Sequence, residues 1–219
     1  DGGKTLNDVF TVSDAALRTC IFTSDSIGFV AGSKGLYTTT DSGAIWNVDS
    51  LTHGNFSDLF FLNEYFGVAV TDTSILETEN DGRTWQMMMN CNTCDLKSIY
   101  FIDESKGWVV GEMGLIMKLT EGGTWETIAS GTTLPLNKVF FADKYTGWIA
   151  GGYIKSIEWY RNLYYEFHSI LLKTINGGES WSKTENIDWL IHDLYFKNEQ
   201  EGWAVGEDSV GKGIIIETI

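Results

Sequence analysis

The sequence predicts an all-β protein, a β-propeller of five four-stranded blades, and three observations carry that prediction. A segment of about forty residues recurs five times, copy after copy ends in a glycine-centred turn closed by Trp, and the composition suits sheets and turns. The 219 residues include 24 Gly against one Pro, which speaks for many tight turns without the Pro-rich signature of disorder. Nine Trp, nine Tyr and twelve Phe within a 43% hydrophobic chain supply aromatic sheet cores.

Each copy opens with an aromatic-ended strand, crosses a short polar turn, and resumes at Gly followed by a small apolar run. The first runs from Cys20-Ile21-Phe22 to Gly28-Phe29-Val30-Ala31-Gly32, and a weaker second from Leu59-Phe60-Phe61 to Gly67-Val68-Ala69-Val70. The third joins Ile99-Tyr100-Phe101 to Gly107-Trp108-Val109-Val110-Gly111, and the fourth joins Val139-Phe140-Phe141 to Gly147-Trp148-Ile149-Ala150-Gly151. The fifth joins Leu194-Tyr195-Phe196 to Gly202-Trp203-Ala204-Val205-Gly206. The marker glycines 28, 67, 107, 147 and 202 are spaced by 39, 40, 40 and 55 residues, so the last interval holds an insertion.

A further β-rich run then reaches a turn closed by Trp. Three such turns carry Asp41, Gly43 and Trp46; Asn80, Gly82 and Trp85; and Asn176, Gly178 and Trp181. A degenerate fourth, one residue shorter, ends at Trp125. In the first three, Asp or Asn is expected to bond its own turn, and in all of them Gly is expected to take positive φ and Trp to start the next strand and pack between neighbouring sheets. Every repeat thus supplies four strands, A to D; in the third these are Leu96–Phe101, Gly107–Gly111, Leu115–Leu119 and Thr124–Ala129. One domain is expected over 1–219, with blades near 17–50, 56–90, 96–130, 137–186 and 191–219 plus 1–12. Joined end to end, Thr218-Ile219-Asp1-Gly2-Gly3-Lys4-Thr5 makes a further turn of this kind. Residues 4 to about 12 are therefore expected to form the outer strand of blade five and close the ring; a piece of a longer propeller cut in one phase is the alternative.

The turn pattern Ser/Thr-x-Asp-x-Gly-x-Thr-Trp resembles the Asp box of BNR-like propellers. Taken with Phe-x-(Asp/Asn)-x-x-x-Gly-Trp-x-(Val/Ala)-Gly, the chain resembles the photosystem II stability and assembly factor family and its exported bacterial relatives, over all but residues 153–169. The resemblance implies an Asp-box propeller acting as an assembly scaffold outside the cytoplasm, and it carries fold better than function. The photosynthetic members resemble seven-bladed rings with an Arg-bearing surface, whereas this chain has five repeats and three arginines, Arg18, Arg83 and Arg161.

The formal charge of −15, from fifteen basic and thirty acidic residues, argues against a nucleic-acid partner or an anionic membrane surface. No apolar stretch approaches the ~18–20 residues that cross a bilayer. The start at Asp1 lacks both Met and a basic-plus-apolar leader, and reads as a processed or trimmed chain. A monomer without cofactor or metal, extracellular or in the periplasm or cell envelope, is expected.

Residues 153–169 lengthen the B–C connection of blade four, at the end of the sheet away from the Trp turns. Tyr153, Trp159, Tyr160, Arg161, Tyr164, Tyr165 and Phe167 there are what a protein or glycan contact would use, or else they pack on one another or on the next blade. At the same end Asp72, Glu112 and Glu207 follow strand B in blades two, three and five, as an acidic ring able to hold a cation or a Lys/Arg side chain, or as solvated turn carboxylates that match no calcium-loop spacing. Cys91-Asn92-Thr93-Cys94 lacks the further ligands of a zinc site and the βαβ context of a redox pair, so a local disulfide is expected. Cys20 aligns with Leu59, Ile99, Val139 and Leu194 and is expected in the core. His53, His168 and His192 are unclustered, and the acids of the A–B turns mark turn chemistry.

The function expected is a non-catalytic binding or assembly scaffold. A glycan-binding or glycoside hydrolase-like propeller is the alternative, since sialidases and some xyloglucanases also carry Asp boxes. A sialidase needs three convergent arginines, and Arg83 lies inside a Trp turn. A purely structural module of a larger surface protein is a third reading.

Overall fold

The computed structural model describes residues 10–48, 54–159, 162–184, 187, 189–208 and 211–218. The fold is all-β, a β-propeller built from antiparallel sheets, each one repeat. Two compact units divide the chain, Asp1–Asn90 and Cys91–Ile219. The first unit holds the sheet β1 (Leu17–Phe22), β2 (Gly28–Gly32), β3 (Gly35–Thr39) and β4 (Asn47–Val48), and the sheet β5 (Phe56–Phe61), β6 (Gly67–Thr71), β7 (Ser74–Thr78) and β8 (Gln86–Asn90).

The second unit holds three sheets. One is β9 (Leu96–Asp103), β10 (Lys106–Gly111), β11 (Ile116–Leu119) and β12 (Trp125–Ile128), with a single 3-10 turn at Glu112–Gly114. The next is β13 (Leu136–Phe141), β14 (Gly147–Trp159), β15 (Asn162–Thr174) and β16 (Ser182–Lys183). The last is β17 (Trp189–Phe196), β18 (Gly202–Asp208) and β19 (Gly213–Glu217), three strands among the described residues. The outer strand expected for it from residues 4–12 falls mostly outside the described residues. Of that stretch, Phe10 is described, and its ring packs against Tyr37 and Trp46 of the first sheet.

The marker glycine has a steric cause. It pairs across the A–B ladder with the last aromatic of strand A, as Phe22↔Gly28, Phe61↔Gly67, Phe101↔Gly107, Phe141↔Gly147 and Phe196↔Gly202. A Cβ on Gly107 would lie 2.6 Å from the Phe101 ring, and the other four are as crowded. The phenyl ring thus lies over the glycine and shields a weak sheet position, and Phe101, Phe141 and Phe196 are buried there while Phe22 remains exposed. The glycine four residues after the marker has a different reason: Gly32, Gly111, Gly151 and Gly206 each face a backbone carbonyl that a Cβ would meet within 2.3 Å. That approach accompanies a bulge in every strand A, displaying Arg18, Ser57, Lys97, Asn137 and His192 in turn.

Successive sheets within a unit interlock through the residue after the marker glycine. Phe29 stacks on Phe61 at 4.7 Å, Trp108 on Phe141 at 4.0 Å, and Trp148 on Phe196 at 3.5 Å. The Trp that closes the following turn adds an edge, Trp85 against both Phe29 and Phe61, and Trp181 against Phe141. Trp85 thus packs between neighbouring sheets as expected, while the Trp181 contact with Phe141 lies within its own sheet.

The Trp turns themselves are organised by the Thr that opens them. The Thr39 hydroxyl donates to Asp41 Oδ1 (2.8 Å) and accepts from the Gly43 amide (3.0 Å), and the Ile45 amide donates to Asp41 (2.9 Å). Thr78 and Thr174 repeat the relay with Asn80–Gly82 and Asn176–Gly178. All three Thr side chains are buried. In the degenerate turn no Asp or Asn is present, and Thr120 bonds directly to Thr124. The A–B turns fold on Asn63, Asp143 and Asn198, whose Oδ1 atoms each accept two backbone amides, and on Asp103, which accepts the Ser105 amide.

Cys20 departs from expectation. Leu59, Ile99, Val139 and Leu194 are buried as the repeat predicts, but Cys20 is exposed.

Candidate functional site

The insertion is regular structure. β14 and β15 run on as thirteen-residue strands, pairing continuously from Gly147↔Thr174 to Trp159↔Asn162. Its base is clamped where it leaves the blade. The Gly152 amide donates to Pro135 O (2.8 Å), and Asn137 Nδ2 donates to Gly152 O (3.0 Å). Gly152 has φ +125°, and a Cβ there would fall 2.0 Å from His168 O, so only glycine serves at this exit.

Above the clamp Tyr153 stacks on its cross-strand partner His168 (4.7 Å), and His168 Nε2 lies 3.5 Å from Glu166. Tyr153, Ile157 and Tyr165 are exposed, and Phe167 is half-buried. Trp159 and Tyr164 occupy strand positions, opposite Asn162 and Ile157. Tyr160 and Arg161 lie outside the described residues. The ladder alternates, so Tyr153 and Ile157 share one face with His168, and Phe167 and Tyr165 share the other.

The three acids after strand B each meet a partner from their own sheet. Asn55 Nδ2 donates to both oxygens of Asp72 at 2.8 Å. Glu112 lies 3.5 Å from Lys97, which also holds Asp95 at 2.9 Å. Glu207 is 3.1 Å from His192 Nε2. Lys97, Asn137 and His192 are the bulge residues of their strands, and in all three the bulge re-aims a polar side chain onto the B–C connection. This pairing was not read from the sequence; its signal was present, as a polar residue recurring between Leu96 and Ser98, Leu136 and Lys138, and Ile191 and Asp193.

Cys91 and Cys94 form a disulfide across a three-residue separation. Among the described residues no group of three or more His, Cys, Asp and Glu is placed to hold a metal ion, and no helix is long and apolar enough to cross a membrane. Arg83 pairs with its neighbour Asp81 at 3.6 Å. Glu77, at the Trp-turn end of β7, has its carboxyl pushed up by burial and then by the charge of Glu79.

No protein family matches the sequence, and no curated relative does. Solved structures are similar to it in fold. An ancestral GH74 enzyme is 13% identical over 92% of this chain, which spans 29% of that enzyme, with a TM-score of 0.65. The WD40 repeats of RRP9 are 10% identical over 95% of this chain and 69% of that one, with a TM-score of 0.63. YCF48 bound to a D1 peptide is 13% identical over 94% of this chain and 93% of that one, with a TM-score of 0.48. Identities this low bear on the fold alone.

Proposed function

We propose that the chain is a non-catalytic binding or assembly propeller of the Asp-box kind, exported from the cytoplasm, whose partner is a protein engaged by the β14–β15 hairpin. One observation carries this reading. One of the sheets has its B and C strands lengthened into a continuously paired hairpin, held at its base, that leaves Tyr153, Ile157 and Tyr165 in solvent. Ordering those residues costs backbone entropy that exposed side chains do not return by burial, whereas aromatic anchors on a rigid element are what interfaces use. The B–C acids support a binding role over acid–base chemistry, because Asp72 is held by Asn55, Glu207 lies beside His192, and Glu112 shares the Lys97 ammonium with Asp95. The Cys91–Cys94 disulfide supports an oxidising compartment.

The test is capture from the source organism's envelope fraction by the chain and by a variant lacking residues 154–168, each with the same melting temperature. The hairpin reading expects a protein partner held by the first and lost from the second. Equal capture, or a partner that proves to be a free glycan, would sink it.

A further inference from the structure

Beside the Cys91–Cys94 loop, at the same B–C end of the second unit's sheets, lies an open cleft of about 880 Å³. That is within the ~300–1,000 Å³ typical of ligand sites. Its walls are the disulfide loop, the Glu112–Gly114 turn, the end of β12, and the linker into β13. Two features bear on what it would take. Asp95 and Glu112 line it, and none of its described lining residues is basic. One ammonium, that of Lys97, is shared between them at 2.9 and 3.5 Å, so one carboxylate charge is left over at the cleft. A chain of net charge −15 adds to that potential.

The second feature is Met113. It sits in the wall with left-handed backbone, φ 56° and ψ 29°, and the residue is 74% exposed. A residue with a Cβ adopts that conformation unfavourably, and an exposed Met regains nothing by burial. The turn is nonetheless fixed: the Gly111 amide donates to Leu115 O, the Leu115 amide to Glu112 O, and Gly114 abuts Thr132 O so closely that a Cβ would overlap it. A flexible, polarizable side chain is thereby held over the cleft, the kind of surface that adapts to apolar side chains of a partner. The exposed Thr93, Thr127 and Thr133 also line it, with hydroxyls suited to peptide amides.

We propose that this cleft receives a short segment of a partner polypeptide bearing one Lys or Arg beside an apolar side chain, the cation bridging Glu112 and the apolar group lying against Met113. The inference rests on the protein-binding reading above and adds a second, charge-selective contact to the hairpin. The probes are acetylated, amidated pentapeptides Ala-Leu-Arg-Leu-Ala, with citrulline or Glu replacing Arg as controls. They are titrated into the ¹⁵N-labelled chain, its Glu112→Gln variant, and the chain lacking residues 154–168.

The Arg peptide is expected to move the amide resonances of residues 93–95, 112–115 and 130–133 and to bind roughly tenfold more tightly than the citrulline peptide. Glu112→Gln should abolish that advantage, and the deletion should leave it intact. No shift at millimolar peptide, shifts elsewhere only, or equal binding of the Arg and Glu peptides would overturn the proposal. Peptide binding together with equal partner capture by chain and deletion would sink the hairpin and keep the cleft. The reverse pair of results would sink the cleft alone.

Discussion

Replacing Gly178 by Ala separates two reasons for a glycine that a sequence cannot distinguish. Gly178 has φ +71°, and an added Cβ would lie 2.1 Å from Trp108 Nε1 and 2.8 Å from its Cε2. Gly123, at the equivalent place in the degenerate turn of the same unit, has φ +74° and nothing within 4 Å. Gly123→Ala therefore carries only the left-handed backbone cost, about 1–2 kcal/mol. Gly178→Ala carries that cost and an overpacking cost of about 1–3 kcal/mol, for a total of about 2–5 kcal/mol. Urea unfolding followed by Trp fluorescence measures both. In a Trp108→Leu background the second cost should vanish, bringing the two substitutions to within about 0.5 kcal/mol. If they already differ by no more than that in the unmodified chain, the inter-sheet contact does not explain the glycine, and the interlocking described above is wrong.

Three further outcomes follow from the same geometry. Asp41 is held below the ordinary carboxylate range by the Ile45 amide and then the Thr39 hydroxyl; its contribution is present above the unfolded pKa near ~3.9 and is lost as pH falls through the lower folded value. Asp41→Asn, which matches Asn80 and Asn176, should preserve stability at pH 7 and flatten the acid limb of a pH–stability profile, whereas Asp41→Ala should lower stability at both. Trp181 packs against Phe141 while its buried Nε1 has no hydrogen-bond partner among the described residues; Trp181→Ala should cost about 3–5 kcal/mol and Trp181→Phe clearly less in the same denaturation assay. Thiol titration with a chromogenic disulfide should find one free thiol, Cys20, reacting more slowly than free cysteine because partial desolvation raises its pKa; two further thiols without added reductant would contradict the Cys91–Cys94 bond.

The candidate site was legible in part. Residues 153–169 stand out because they interrupt a regular repeat, and that irregularity is visible without coordinates. Their form was not: whether Tyr153, Tyr165 and Phe167 pack together depends on the register of β14 on β15, which sends alternate side chains to opposite faces. The partners of Glu112 and Glu207 were also hidden, since Lys97 and His192 reach them only through a bulge, fifteen residues away along the chain in each case. The cleft beside the disulfide left no sequence signal at all, because its walls come from three separated segments.

By itself the sequence determined the repeat, the strands and the turns. Those depend on local causes, such as alternating apolar runs, Asp or Asn folding a turn, and Gly taking positive φ, and these are written into consecutive residues. Tertiary structure decided what each repeated position is for. Gly107 is glycine because Phe101 lies across it, Gly178 because Trp108 of another sheet lies over it, and Thr174 is buried as the hub of its turn. It also decided the fate of Cys20, which shares its repeat position with four buried residues yet is exposed. Burial depends on what packs against a strand, and a strand's own residues do not specify its neighbour.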